Sequence, residues 1–124
     1  MAPLRIVHTE SSLGWGGQEM RILSEAQGLI RRGHDVKLLC PRAARIHAEA
    51  ANWGVPVVAL PIERKRLHGL RALIAWLRAN RSDVVNTHSS TDSWLTALAL
   101  QMLGRPVPIV RTRHISAPVP RGPL

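Results

Sequence analysis

Gly14-Trp15-Gly16-Gly17-Gln18-Glu19 joins a short apolar run to an amphipathic helical pattern near the start of the chain. Three of its first four residues are glycine, which is favoured where the chain turns sharply or where another group approaches the backbone. The helix that follows would present free N–H groups and the positive end of its dipole. This stretch, the glycine loop, therefore predicts a seat for phosphate or another anion at a strand-to-helix turn.

Outward from the glycine loop, apolar runs alternate with helical patterns along the chain. Strands are predicted at residues 4–8, 36–40, 56–60, 84–87 and 109–113, and helices at 18–32, 43–53, 67–77 and 94–103. The helix at 94–103 is almost wholly apolar, so it is predicted to be buried on most sides. Each strand except the last is followed by a helix, which is typical of parallel sheets.

The predicted fold class is α/β: a doubly wound, Rossmann-like parallel sheet in the order 3-2-1-4-5, with helices on both faces. Ligands bind to such sheets beyond the carboxyl ends of the strands, at the point where the winding reverses. Here that point lies between the first and fourth strands. We expect His8, the glycine loop, the segment 88–93 and His114 at that edge.

Composition limits the classes of function. The chain has 124 residues, enough for one domain, and its core must be aliphatic because it has four Trp but no Phe or Tyr. Its formal charge of +9 favours an anionic partner. The single cysteine, Cys40, excludes an internal disulfide framework. No apolar run is long enough for a signal peptide or a membrane span, so we expect a cytosolic protein, at most resting on a membrane face.

Two polar segments follow predicted strands. The segment His88-Ser89-Ser90-Thr91-Asp92-Ser93 has the chemistry of a rim for a polar ligand, but the same residue types cap helices. His114 follows the fifth strand, where an imidazole can hydrogen-bond a sugar hydroxyl or a phosphate, or simply cap and pack. A zinc site built from His8, His88 and His114 would lack a closely spaced ligand pair, and no metal is predicted.

The glycine loop lacks the G-x-G-x-x-G pattern of dinucleotide-binding proteins, which disfavours a dinucleotide cofactor. A basic segment further along the chain has two interpretations: a solvated helix start, or a contact with an anionic membrane face. It consists of Arg64, Lys65, Arg66 and Arg71. Nucleic acid is not an expected partner, because aromatic platforms and known nucleic-acid motifs are missing.

Four motifs, taken in order, resemble the N-terminal domain of family 4 glycosyltransferases, which are retaining enzymes of the GT-B fold. The motifs are His8-Thr9-Glu10 through the glycine loop, Arg32-Gly33-His34-Asp35-Val36, Asp83-Val84-Val85-Asn86-Thr87-His88 and Arg111-Thr112-Arg113-His114. The resemblance implies a domain over residues 1–116, followed by a Pro-rich tail or the start of an interdomain linker at 117–124.

The resemblance also implies an activity, namely transfer of a sugar from a nucleotide-sugar donor to a cell-envelope or lipid-linked glycan acceptor, with no further cofactor. It implies that His114 is the catalytic residue that contacts the transferred sugar. The substrate-binding residues that it implies are Gly16, Gly17, Gln18 and Glu19 near the donor diphosphate and acceptor, with His88, Ser89, Asp92 and Arg113. The family uses no dedicated protein nucleophile, because the leaving phosphate helps to take the acceptor proton.

The family's C-terminal domain, which holds most of the donor, has no counterpart in these 124 residues. We therefore expect this chain to be a fragment or one half of a two-part enzyme, and a poor catalyst by itself. The alternative hypothesis is a stand-alone anion-binding or membrane-surface module without catalysis, which the charge of +9 would also suit.

Overall fold

The computed structural model describes residues 2–112, in which strands and helices alternate. The strands are β1 (Arg5–Thr9), β2 (Asp35–Cys40), β3 (Val57–Ala59), β4 (Val84–Thr87) and β5 (Ile109–Arg111). The helices are α1 (Gly17–Arg31), α2 (Arg45–Glu49), α3 (Leu67–Ala79) and α4 (Ser90–Leu103), and a 3-10 turn, Ala50–Trp53, follows α2.

The five strands form one parallel sheet in the order β3-β2-β1-β4-β5, which confirms the predicted topology. β1 is the central strand, with Thr9 level with Leu39 of β2 on one side and with Thr87 of β4 on the other. The residues that follow β1 and β4 therefore leave the sheet side by side. This is the edge at which the sequence predicts a ligand.

Each face of the sheet is covered by its own aliphatic cluster. Successive side chains of a strand point to opposite faces, so Ile6 packs under α1 and α2 while Val7 packs under α3 and α4. Burial of α1 rests on a stripe of Ile22, Leu23 and Ala26. The helices thus lie on both faces, as predicted from the alternating pattern.

Two predicted helices differ from those observed. The helix predicted at 43–53 is α2 followed by the 3-10 turn, whose tighter winding carries Trp53 onto the core before Gly54 turns left-handed. α4 begins at Ser90 rather than at residue 94, because Ser89 and Asp92 form a capping box that starts the helix earlier. Most of the predicted polar loop is therefore the first turn of α4.

The prediction that the last helix is buried on most sides is wrong. Trp94 is 47% exposed and Met102 is 62% exposed, because α4 packs on the sheet and on α3 and turns its remaining side outward. Within the described range, 2–112, no helix is long and apolar enough to cross a bilayer.

Candidate functional site

Buried polar side chains gather where β1 and β4 end. We call this group the polar cluster, and its members are His8, Thr9, Glu10, Ser11, Gln18, His88, Ser89 and Asp92. Glu10 and Asp92 are both 0% exposed. Because buried carboxylates are costly unless they accept hydrogen bonds, their partners determine what the cluster can do.

Asp92 holds the turn between β4 and α4. Its Oδ2 accepts the backbone N–H of His88 at 3.0 Å and the hydroxyl of Thr9, while its Oδ1 accepts the backbone N–H of Ser89 at 3.0 Å. The Ser11 hydroxyl also lies 3.1 Å from Oδ1. The protein's own donors therefore occupy this carboxylate, and a role for Asp92 in substrate binding stays a prediction.

Glu10 ties the glycine loop to the same turn. Its Oε1 accepts the backbone N–H of Ser12 at 3.0 Å and lies 3.0 Å from the Ser89 hydroxyl. Its Oε2 accepts a hydrogen bond from the side-chain amide of Gln18, in the first turn of α1. One carboxylate thus connects the ends of β1 and β4 to the start of α1.

Two serine hydroxyls lie between the two carboxylates. Ser11 Oγ and Ser89 Oγ are 2.6 Å apart, and each also lies within hydrogen-bonding distance of Asp92 Oδ1. Each hydroxyl has a single proton, so the two serines can donate only two hydrogen bonds among these acceptors. The remaining hydrogen bonds come from Thr9, from the Gln18 amide and from backbone N–H groups, so the protein itself satisfies both buried carboxylates.

A pair of histidines lies in the interior of the cluster. His8 Nδ1 is 2.9 Å from His88 Nε2, and the rings stack with centroids 5.1 Å apart and planes 18° apart. Burial lowers the pKa of His8 from 6.5 to about 4, so this imidazole is neutral at pH 7. Its Nε2 is buried, and in the structure of residues 2–112 it has no hydrogen-bond partner.

The glycine loop leads into α1 without strain. Gly16 is the N-cap residue and is fully extended, with φ of −177°, and a Cβ built on Gly17 would meet nothing within 4 Å. Neither glycine is thus required by the protein's own packing, and open space remains beside Gly17. The half-buried Trp15 packs against the core, with the Arg45 guanidinium 5.6 Å from its ring centroid.

The predicted anion seat at the start of α1 has two carboxylates beside it. Glu19 is 6% exposed and accepts hydrogen bonds from its own N–H and from that of Gly16. Burial raises the pKa of Glu19, the charge of Glu10 raises it further, and those two backbone hydrogen bonds act in the opposite direction. Binding of an anion at this seat stays a prediction, and negative charge here opposes it.

The structure brings together Gly16, Gly17, Gln18 and Glu19 at the start of α1, and His88, Ser89 and Asp92 at the start of α4. Arg113 and His114 lie outside the described residues. Between residues 2 and 112, no group of three His, Cys, Asp or Glu side chains is placed to hold a metal ion. His114 lies outside that range, so the zinc site of His8, His88 and His114 that was weighed from the sequence is not described in full.

The sequence did not single out Thr9, Glu10 or Ser11 as site residues, although Thr9 and Glu10 belong to one of the motifs quoted above. All three are buried members of the polar cluster. A signal for them existed, because a run of polar residues directly follows an apolar strand at the edge where the winding reverses. This signal does not distinguish a buried cluster from an exposed loop, because exposed loops after strands also contain polar residues.

The sequence profile of Glycosyltransferase Family 4 matches residues 15–123. No curated protein matches the chain. Solved structures share its fold, and three of them serve for comparison. A glycosyltransferase from Rickettsia africae is 17% identical over 98% of this chain and 32% of its own, with a TM-score of 0.75.

MurG from Acinetobacter baumannii is 19% identical over 88% of this chain and 35% of its own, with a TM-score of 0.69. Alr3699/HepE from Anabaena, solved in complex with UDP-glucose, is 14% identical over 87% and 28%, with a TM-score of 0.68. The chain thus spans about a third of the length of these proteins. At such identities the likeness concerns the fold, which is one Rossmann-like half of the GT-B architecture.

Proposed function

This chain belongs to glycosyltransferase family 4, and we propose that it is the N-terminal half of a retaining enzyme that transfers a sugar from a nucleotide-sugar donor to a cell-envelope or lipid-linked glycan acceptor. The complex of Alr3699/HepE with UDP-glucose supports a donor of this class. The single buried cysteine fits a cytosolic site of reaction.

One observation carries the proposal: the polar cluster lies at the edge where the winding of the sheet reverses, between β1 and β4. Its hydrogen bonds hold the ends of both strands and the start of α1 in one fixed arrangement, which is what positioning of a substrate requires. His8, which burial keeps neutral, brings no charge to the cluster and lies 2.9 Å from His88 Nε2 through its Nδ1. The carboxylates of Glu10 and Asp92 disfavour a purely anionic ligand at this edge.

In the proposed reaction the acceptor oxygen bonds to the anomeric carbon on the face from which the diphosphate leaves. The bond between that carbon and the diphosphate oxygen breaks, and the acceptor proton passes to the leaving phosphate. His88 and Ser89 orient the acceptor, Asp92 holds their turn in place, and His114 contacts the transferred sugar. Such a step needs correct positioning and charge stabilisation, and no nucleophile from the protein.

In this proposal the donor diphosphate lies beside Gly16 and Gly17, with Gln18 and Glu19 next to them. It meets the N–H of Gly17, because that of Gly16 is donated to Glu19. Because Glu10 and Glu19 oppose negative charge at this point, we assign the balancing positive charge to Arg113 and to the C-terminal half. This division explains why the chain alone should be a poor catalyst. It also makes the space beside Gly17 important, since a side chain there would fill it.

The test is transfer of radiolabelled sugar, from a panel of nucleotide sugars, by the complete enzyme that joins this chain to its C-terminal half. We expect Gly17→Leu and His114→Ala each to lower the rate by about 100-fold. Gly28→Leu is the matched control, because it adds the same side chain to α1 where a Cβ also meets nothing within 4 Å. Thermal unfolding verifies that each variant folds. Rates equal to wild type in both test variants would overturn the proposal.

A membrane contact is a second proposal, since it explains exposed apolar side chains beside the basic segment. The segment is Arg64, Lys65, Arg66 and Arg71. Next to it Leu67 is 65% exposed and Trp94 is 47% exposed, and Lys65 Nζ lies 5.7 Å from the Trp94 ring centroid. Basic and apolar side chains in one patch are typical of proteins that rest on anionic membranes.

Sedimentation with phosphatidylglycerol vesicles tests the membrane contact. Leu67→Ser/Trp94→Ser is expected to weaken vesicle binding by about tenfold, because the variant lacks both apolar side chains that would contact the bilayer. Met102→Ser is the control, since Met102 is 62% exposed at the far end of α4. Equal losses in both variants would refute a specific patch. Vesicle binding without any transfer by the complete enzyme would instead favour the stand-alone module.

A further inference from the structure

A second site lies at the same edge of the sheet, beyond β2 and β3. Two cavities there, of about 340 Å³ and 310 Å³, share Pro61 and Glu63 in their walls. We call them together the basic cleft, and its charged or ionisable residues are Arg42, Glu63, Arg64, Arg66 and His68. The polar cluster is two strands away, because β3 lies beside β2 and β2 beside β1.

The arginines of the basic cleft form no ion pair with any other described residue. The ion pairs of the described chain are Lys37 with Asp35 and Arg45 with Glu49, and neither involves the cleft. Arg42, Arg64 and Arg66 are all exposed, and among the described residues of the walls Glu63 is the only one with a carboxylate. The cleft therefore has an unbalanced positive charge, in contrast to the carboxylates of the polar cluster.

Close packing of α3 fixes one wall of the basic cleft. Gly69 is buried against the backbone of Pro61, so near that a Cβ on Gly69 would lie 2.3 Å from the Pro61 carbonyl oxygen. Any larger residue would force the helix away from the segment that follows β3. The arginines at the start of α3 are therefore attached to a fixed frame, and only their side chains need to order when a ligand binds.

We propose that the basic cleft binds the phosphate or diphosphate group of an anionic acceptor. This inference rests on the proposed function and names the class of acceptor: a glycan precursor that carries phosphate at one end and a free hydroxyl at the other. The distance suits such a molecule, because the cleft lies one to two strand spacings, about 5 to 10 Å, from the end of β1. Arginine recognises phosphate oxygens through paired N–H groups, which lysine cannot do.

The test is a calorimetric titration of the 124-residue chain with inorganic pyrophosphate, which needs no transferase activity. We expect saturable binding that Arg42→Gln/Arg66→Gln weakens by about tenfold, since two charges near the ligand are lost. Arg31→Gln/Arg78→Gln removes the same charge from the ends of α1 and α3, at the opposite edge of the sheet, and is expected to leave the affinity within about twofold.

Equal weakening in the two double variants would overturn the proposal, because general attraction by the net charge of +9 would then explain binding. So would a loss of binding in Gly17→Leu with no loss in Arg42→Gln/Arg66→Gln, which would place the anion at the glycine loop.

The source of the phosphate is distinguished by a second arm with phosphatidic acid vesicles. Weaker binding of both pyrophosphate and vesicles by Arg42→Gln/Arg66→Gln supports a phosphate subsite for lipid-borne acceptors, and weaker binding of pyrophosphate alone supports one for free acceptors. Weaker binding of vesicles alone overturns the proposal. A complete enzyme that binds pyrophosphate as expected but transfers no sugar would refute only the proposed function.

Discussion

The polar cluster and the basic cleft lie on one edge of the same sheet but handle charge in opposite ways. In the polar cluster, Glu10 and Asp92 are completely buried and accept hydrogen bonds from the ends of both central strands. In the basic cleft, the arginines are exposed and form no ion pair within residues 2–112. The polar cluster is thus part of the buried hydrogen-bond network of the fold, whereas the basic cleft consists of exposed side chains on its surface.

This difference separates two kinds of polar residue that look alike in a sequence. The carboxylate of Asp92 organises the protein, because its hydrogen bonds join segments that are distant along the chain. Among residues 2–112, the side chains of Arg64 and Arg66 form no ion pair, so their charges remain available to a ligand. Substitutions in the polar cluster should therefore affect stability first, and substitutions in the basic cleft should affect binding alone.

The largest effect is expected for Asp92→Ala. Removing this carboxylate leaves the buried N–H of His88 and the hydroxyl of Thr9 without an acceptor, which should lower the free energy of unfolding by about 4 kcal/mol. Urea denaturation measures the change. Arg64→Gln/Arg66→Gln is the counterpart from the basic cleft and should stay within about 0.5 kcal/mol of wild type. Similar losses in both would abolish the distinction between the two sites.

Acid should destabilise the protein through His8. Its folded-state pKa is lowered from 6.5 to about 4, so between these values the unfolded chain binds more protons than the folded one. The contribution of His8 to the free energy of unfolding is thus fully present above pH 6.5. It is lost as the pH drops toward 4, by up to about 3 kcal/mol. Urea midpoints across this range should show a flatter profile for His8→Gln than for wild type.

His68→Gln is the matched control for this pH profile, because His68 is exposed in the wall of the basic cleft. Its profile should follow that of wild type. A profile for His8→Gln as steep as that of wild type would contradict a neutral, buried His8.

An intermediate loss of stability is expected for a substitution of Gly69, the residue that packs the wall of the basic cleft against Pro61. Gly69→Ala places a methyl group 2.3 Å from the Pro61 carbonyl oxygen, so α3 must shift at a cost of about 2 kcal/mol. Gly28→Ala in α1, where a Cβ meets nothing within 4 Å, should instead stabilise the protein by up to about 1 kcal/mol. Thermal unfolding distinguishes the two, and a neutral Gly69→Ala would show that the wall of the cleft is not fixed.

The smallest effect concerns the carboxylates beside the glycine loop. The pKa of Glu19 is raised, so the folded state binds the proton more tightly, and stability falls as the pH rises from 4.5 through the folded-state value. Glu19→Gln should therefore raise the Tm at pH 7 by about 2 °C and have no such benefit below pH 4.5. Glu25→Gln, exposed on the same helix, should change neither value. A lower Tm for Glu19→Gln at pH 7 would show that the charge stabilises the loop.

Much of the fold could be predicted, because its signals are local. A strand directs neighbouring side chains to opposite faces, as it does with Ile6 and Val7. A helix places residues at helical spacing on one side, as it does with Ile22, Leu23 and Ala26. Errors arose where tertiary contacts outweighed local pattern. Trp94 belongs to an apolar helix and is nevertheless exposed, since only one side of α4 meets the sheet and α3.

The sequence predicted the edge of the sheet at which the polar cluster lies, but not the negative charge of that edge. The edge between β1 and β4 follows from the order of the strands. That Glu10 and Glu19 lie together at this edge, where their charges oppose an anion, does not follow from that order. The anion seat at Gly16 and Gly17 remains a prediction, and so do the roles of Arg113 and His114.

By itself, the sequence determined the alternation of strands and helices, the aliphatic core and the family, because each depends on neighbouring residues or on motifs in a fixed order. Only the tertiary structure decided which polar residues are buried partners. Thr9 and Asp92 are 83 residues apart along the chain, and Glu10 and Ser89 are 79 apart. Parallel strands bring such residues side by side, and hydrogen bonds over that separation leave no periodic trace in a sequence.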